Sequence, residues 1–190
     1  MTHLWVRAEQ RPNEARVGLT PAGAKTLKQA GFQVTVEQST QRAIDLEGYS
    51  ASGCTIAPEN AWPDAPDDAV IFGLKELPKD ETPLRHRHIM FGHAFKGQHD
   101  GKALLRRFQA GGGTLYDLEY LVDDTGHRLL LHKAHTRIGG LFAFLLIPAC
   151  LVALLQLSHV FPLRHEGLLE RHVVAPALRP DRCLVACRSA

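Results

Sequence analysis

"HLWVRAEQRPNEARVGLTPAGAKTLKQAGFQVTVE", residues 3–37, decides the fold. His3 to Arg7 alternates polar and apolar side chains, as a half-buried strand does. Thr20 then offers a helix N-cap, Pro21 the first helical position, and Gly31 a stop. Phe32, Val34 and Val36 alternate again. Strand, helix and strand in that order make a β-α-β unit, which normally joins parallel strands through a right-handed crossover. The 8–16 link then lies outside the carboxyl end of the first strand, where open parallel sheets bind ligands. Arg11, Glu14 and Arg16 put more charge on that link than a plain turn needs, and there they can face a ligand.

The same grammar continues downstream. Asp45 to Ser52 reads as a short helix closed by Gly53, Cys54 to Ala57 as a strand, and "ENAWPDAPDD" (59–68) as a Pro-rich surface loop. Ala69 to Leu74 and His88 to Gly92 are continuous apolar runs of strand length, expected for strands covered on both faces. Asp100 to Gln109 reads as a helix closed by glycines 111–113, and Thr114 to Tyr116 as a short strand. Asp123-Asp124-Thr125-Gly126 is turn chemistry. The sum is an α/β layer with a mainly parallel sheet flanked by helices.

Of the 190 residues, 45% are hydrophobic and 22% charged, which is ordinary globular composition. Residues 1–128 carry 15 Lys and Arg against 17 Asp and Glu, a net of −2, and residues 129–190 carry 7 against 3, a net of +4. Neither balance suggests a nucleic-acid binder. The cysteines, 54, 150, 183 and 187, form no C-x-x-C pair, and the N-terminus has no secretory pattern, so they read as reduced thiols of a cytoplasmic protein.

Chemistry falls at the strand ends. Lys75 and Glu76 follow the 69–74 strand, and His93 and Lys96 follow the next. A lysine in a dry site and a histidine can exchange protons near neutrality, so the two ends could serve one crevice. The plainer alternative is a solvated Lys75–Glu76 pair and a satisfied loop histidine. His86 and His88 share one face of a strand, but no Cys or carboxylate ligand supports a metal, and Arg85 and Arg87 favour a solvated basic edge. Walker, G-x-S-x-G and G-x-G-x-x-G signatures are missing, since "AGGGT" (110–114) precedes a strand rather than a helix.

"RAEQRPNEARVGLTP", "GLKELP", "HIMFGHAFKGQ" and "GTLYDLEYLVDDTGHR" together resemble the N-terminal domain of the lysine-forming, NAD-dependent saccharopine dehydrogenases, relatives of alanine dehydrogenase and of the transhydrogenase N-terminal domain. The resemblance covers residues 3–128 and implies the substrate-side domain of a two-domain, Rossmann-like dehydrogenase. That family oxidises the secondary amine of saccharopine to an imine with NAD and hydrolyses it to lysine and 2-oxoglutarate. By the resemblance, Lys75 and His93 are the acid–base pair, Arg16, Arg128 and Lys96 bind the substrate, and Glu14, Glu76 and Glu119 tune those groups. Arg11 stands where the family often has Lys. A substrate with three carboxylates calls for planar bidentate donors, which accounts for Arg16 on the first strand–helix link. An alanine-dehydrogenase-type substrate is the runner-up, and a remnant that binds without turnover the non-enzyme reading.

After Arg128 the resemblance stops, and the family's Rossmann domain with its NAD-binding turn is not found in residues 129–190. Residues 138–155 are 18 uncharged, mostly apolar residues with Pro148 in mid-run. Three readings stay open: out-of-frame translation of an interrupted gene, a buried helix, or a membrane anchor.

Overall fold

The computed structural model describes residues 1–94, 99–120 and 186–187. The elements run β1 (His3–Val6), α1 (Pro21–Gln29), β2 (Gln33–Glu37), α2 (Leu46–Ala51), β3 (Thr55–Ala57), β4 (Val70–Phe72), β5 (Arg87–Met90), α3 (His99–Gly111), β6 (Thr114–Asp117) and β7 (Ala186–Cys187). They form one sheet in the order β3-β2-β1-β4-β5-β6-β7. Every pairing from β3 to β6 is parallel, and β7 joins β6 antiparallel.

The opening β-α-β unit forms as its residues dictate. Thr20 Oγ1 accepts a hydrogen bond from Gly23 N at 3.2 Å, Pro21 begins the helix, and Gly31 leaves it at φ +89°. One face of the sheet buries Leu4, Val6, Val34, Val36, Val70, Phe72 and Ile89 against Leu27 of α1 and Tyr49 of α2. The other buries Ile71, Met90 and Leu115 against Leu104 and Phe108 of α3.

Two expectations need correction. "ENAWPDAPDD" contains a 3-10 turn at Trp62–Asp64, and Trp62 and Ala65 pack into the α3 side of the core. The His86–His88 pair is no solvated edge, because β5 lies between β4 and β6 and both histidines are 1% exposed. His86 Nε2 meets Ala65 O at 3.0 Å, and the His88 ring lies edge-on between Trp62 and Phe108. Burial, then the positive charge of Arg7, hold His88 well below the usual histidine range. The 123–126 turn and the 138–155 run lie outside the described residues. Among the described residues no helix is long and apolar enough to cross a membrane.

Candidate functional site

The chain runs outward from β1 through β2 to β3 and then returns to the other side of β1 as β4, so the strand order reverses between β1 and β4. In open parallel sheets that reversal leaves a crevice at the carboxyl ends. A crevice lies there, lined by Arg7, Glu9, Glu14 and Arg16 after β1, Ser39 and Arg42 after β2, and Gly73 after β4.

Arg16 and Glu14 meet inside it. Arg16 Nε and Nη2 donate to the two Glu14 oxygens at 2.6 and 2.5 Å. Glu14 is 7% exposed on its side chain and Arg16 60%. The Arg16 side-chain hydrogen bond holds the Glu14 carboxyl below its usual range, and the charge of Lys75 acts in the same direction. The guanidinium fork assigned to a substrate carboxylate is thus filled by the chain's own carboxylate. Arg11 Nη1 reaches Glu76 Oε1 at 3.5 Å on the surface, so Glu76 turns toward Arg11.

The turns that carry Lys75 and His93 are adjacent because cross-strand bonding continues past the strands. Gly73 N donates to Ile89 O and Phe91 N to Leu74 O, each at 3.1 Å, so Lys75 leaves the sheet next to Gly92 and His93. His93 Nδ1 lies 3.0 Å from Glu119 Oε2, with His93 one-third exposed and Glu119 2%. A carboxylate only accepts, so Nδ1–H donates and Nε2 is the nitrogen left for proton exchange. His93 has φ +49°, a left-handed conformation that costs a non-glycine residue energy and clusters at functional sites.

Both turns are held from beneath by buried groups that pattern-reading misses. Glu9, 8% exposed, accepts from Leu74 N at 2.6 Å and from Lys75 N at 2.9 Å. Arg7, 2% exposed, lies 3.6 Å from Glu9 and donates to Ala8 O and Lys75 O. Burial lowers the guanidinium's proton affinity while Glu9 restores part of it. A Cβ on Gly73 would collide with this guanidinium, which is why glycine stands there. Glu37, fully buried, accepts from Trp5 Nε1, Ala8 N and Asn60 N at 2.8 to 3.0 Å and so anchors the start of the 8–16 link. Asp117 Oδ1 accepts from Gly92 N at 3.2 Å and Glu119 N at 3.0 Å. The available signal was position, since each acid lies at or just past a strand end, where an unpaired carboxylate would be expensive to bury. Lys96 and Arg128 lie outside the described residues.

The described residues do not fit the pyrophosphate of NAD. Such a group needs a glycine-rich turn at a helix N-terminus. The β1–α1 link instead presents Glu9 and Glu14, and Gly18 packs so closely that a Cβ there would lie 2.5 Å from the Phe72 ring. No group of three or more His, Cys, Asp or Glu among the described residues is arranged to hold a metal.

Residues 5–138 match the family described as alanine dehydrogenase/PNT, N-terminal domain. The chain is 45% identical over 179 residues to the saccharopine dehydrogenase [NAD(+), L-lysine-forming] of Schizosaccharomyces pombe, covering 90% of this chain and 47% of that protein. It is 50% identical over 138 residues to the Candida albicans protein of the same name, covering 72% and 36%. The chain therefore spans less than half the length of these curated relatives. Among solved structures, the transhydrogenase from Sinorhizobium meliloti superposes with TM-score 0.50 at 20% identity, covering 67% of this chain and 39% of that one. An L-alanine dehydrogenase superposes with TM-score 0.52 at 18% identity, covering 68% and 36%. These two likenesses concern the fold alone.

Proposed function

Because the chain belongs to the alanine dehydrogenase/PNT N-terminal domain family, we propose that it supplies the proton-transfer half of a lysine-forming saccharopine dehydrogenase. The observation that carries this reading is the placement of the Lys75 and His93 turns on adjacent strand ends, with His93 backed by the buried Glu119. The identity to saccharopine dehydrogenases supports the substrate class, whereas an alanine-dehydrogenase-type substrate draws on fold-level likeness.

In this reading the substrate is a secondary amine bearing three carboxylates, and Arg16 at the mouth of the crevice meets one of them, with Arg128 and Lys96 as further donors. Lys75 takes the proton from the amine nitrogen as the adjacent carbon is oxidised to the imine level. The proton held by Lys75 returns to the imine nitrogen. His93 Nε2 takes a proton from water as its oxygen adds to the imine carbon and gives that proton to the nitrogen. It then takes the proton of the new hydroxyl as the carbon–nitrogen bond breaks and the C=O forms. Lysine and 2-oxoglutarate result. The Nδ1–Glu119 bond stabilises the imidazolium formed between these steps. NAD is named for the saccharopine dehydrogenase relatives, and the roles proposed here for Lys75 and His93 are those of proton transfer.

The test joins residues 1–128 to the remaining part of a complete relative. Lys75→Met and His93→Gln should each lower kcat by roughly 10² to 10⁴, the usual yield of general acid–base catalysis, and reshape the pH profile. Parental kcat in both variants would return the two residues to the class of ordinary loop side chains.

A further inference from the structure

We propose that Glu9 and Asp117 are positioning residues that set the geometry of the Lys75 and His93 turns by gripping backbone, leaving the reacting side chains free. The proposal rests on the reading of Lys75 and His93 as the acid–base pair. Neither acid reaches the reacting atoms.

Burying a carboxylate is costly, most of all where an oxygen lacks a partner, so such groups mark places where geometry is being fixed. Glu9 engages both oxygens, whereas Asp117 engages Oδ1 alone and its Oδ2 is buried with no hydrogen-bond partner among the described residues. Glu9 gives one oxygen to Leu74 N–H and the other to Lys75 N–H. Its partner Arg7 donates to the carbonyl of Lys75. The Lys75 peptide is thereby held on its N–H and its C=O by one ion pair, and the aliphatic stem leaves from a fixed point.

Asp117 works on the other turn by a different use of atoms. A single oxygen, Oδ1, accepts from Gly92 N–H and from Glu119 N–H. It ties the residue before His93 to the residue whose carboxylate holds the His93 imidazole. That bond sets the separation between the two members of the His93–Glu119 pair, and it helps over-determine the left-handed backbone of His93.

The asymmetry predicts which substitutions are tolerated. Glutamine at position 9 keeps one acceptor oxygen for two amides and presents an NH₂ group to the other, so E9Q disrupts the Lys75 turn. Asparagine at position 117 keeps the one oxygen that works, so D117N preserves the His93 turn, and D117A does not. A requirement for negative charge alone would make E9Q and D117N equally harmful.

The experiment measures amide hydrogen exchange at Leu74, Lys75, Gly92 and Glu119 in the ¹⁵N-labelled full chain, together with the imidazole ¹⁵N signature of His93. Exchange at Leu27 in α1 reports the integrity of the fold. D117A should speed exchange at Gly92 and Glu119 about tenfold, as expected for losing a hydrogen bond to a charged group. It should also erase the Nδ1-protonated signature, whereas D117N stays within about twofold of the parent at all sites. E9Q should speed exchange about tenfold at Leu74 or Lys75 only. Parental exchange and imidazole signals in D117A, or equal damage from D117N and E9Q, would overturn the proposal. Should D117A not fold, the contrast between D117N and E9Q decides alone. If these shifts occur while His93→Gln in the joined protein keeps parental kcat, the acid–base reading falls and the positioning stands.

Discussion

Arg16 enters the crevice already paired, through Nε and Nη2, with the carboxylate of Glu14. Since that bond depresses the Glu14 pKa, its stabilisation is complete above the ordinary carboxylate range and is lost as pH falls through the lower folded value. At neutral pH a substrate carboxylate must therefore share the guanidinium or displace Glu14 from it. Lysine cannot present that fork. Arg16→Lys in the joined protein is expected to raise KM for saccharopine by about tenfold or more and leave kcat within a few-fold, the pattern of a uniform binding contact. Steady-state kinetics check this, and an unchanged KM would remove Arg16 from the clamp. Arg16, Lys75 and His93 stood out in the sequence as charge or imidazole at strand ends, and the roles proposed for them come from the family resemblance. Glu9 and Asp117 did not stand out, for an acid that accepts backbone N–H groups has the same letter as one facing water.

At the scale of elements, helices and strands follow local chemistry closely where start and stop signals are strong. Thr20, Pro21 and Gly31 delimit α1, and Thr20→Ala should cost about 1 kcal/mol in a denaturant titration, the usual loss for a side-chain N-cap. An unchanged midpoint would mean that packing of Leu27 and Ala24 alone fixes this end of the helix. Where composition and packing disagree, packing decides. Five Asp, Glu and Asn residues and two prolines make 59–68 read as surface, yet Trp62 carries the segment onto the α3 face. Two histidines flanked by arginines make the start of β5 read as an edge, yet the strand is interior because β6 pairs with it from the far side. Strand type could be read from each run of residues, whereas strand order depends on contacts between segments far apart in sequence.

For the molecule as a whole, the imidazole of His88 makes stability sensitive to mild acid. Its folded pKa is depressed by burial and then by Arg7, His86 and Arg107, so below about 6.5 the unfolded chain binds a proton that the folded chain refuses. Stability present above that pH is lost as pH falls, by up to about 1.4 kcal/mol per unit until the folded value is reached. His3 is shifted in the same direction by burial and adds to the slope. His88→Leu sacrifices no hydrogen bond to the described residues, since neither ring nitrogen has a partner among them, and it should flatten the dependence between pH 5 and 6.5 in chemical denaturation. An equal slope in the variant would assign the sensitivity elsewhere. Finally, the grip of Arg7 and Glu9 on the Lys75 peptide involves no atom of the lysine side chain. Architecture and reagent are thereby separable at residue 75: the scaffold imposes where a side chain emerges and is indifferent to which one it is. A protein engineer could install an acid, an amide or a thiol there and inherit the placement without rebuilding the support, and the same separability offers divergence a short route from one chemistry to another.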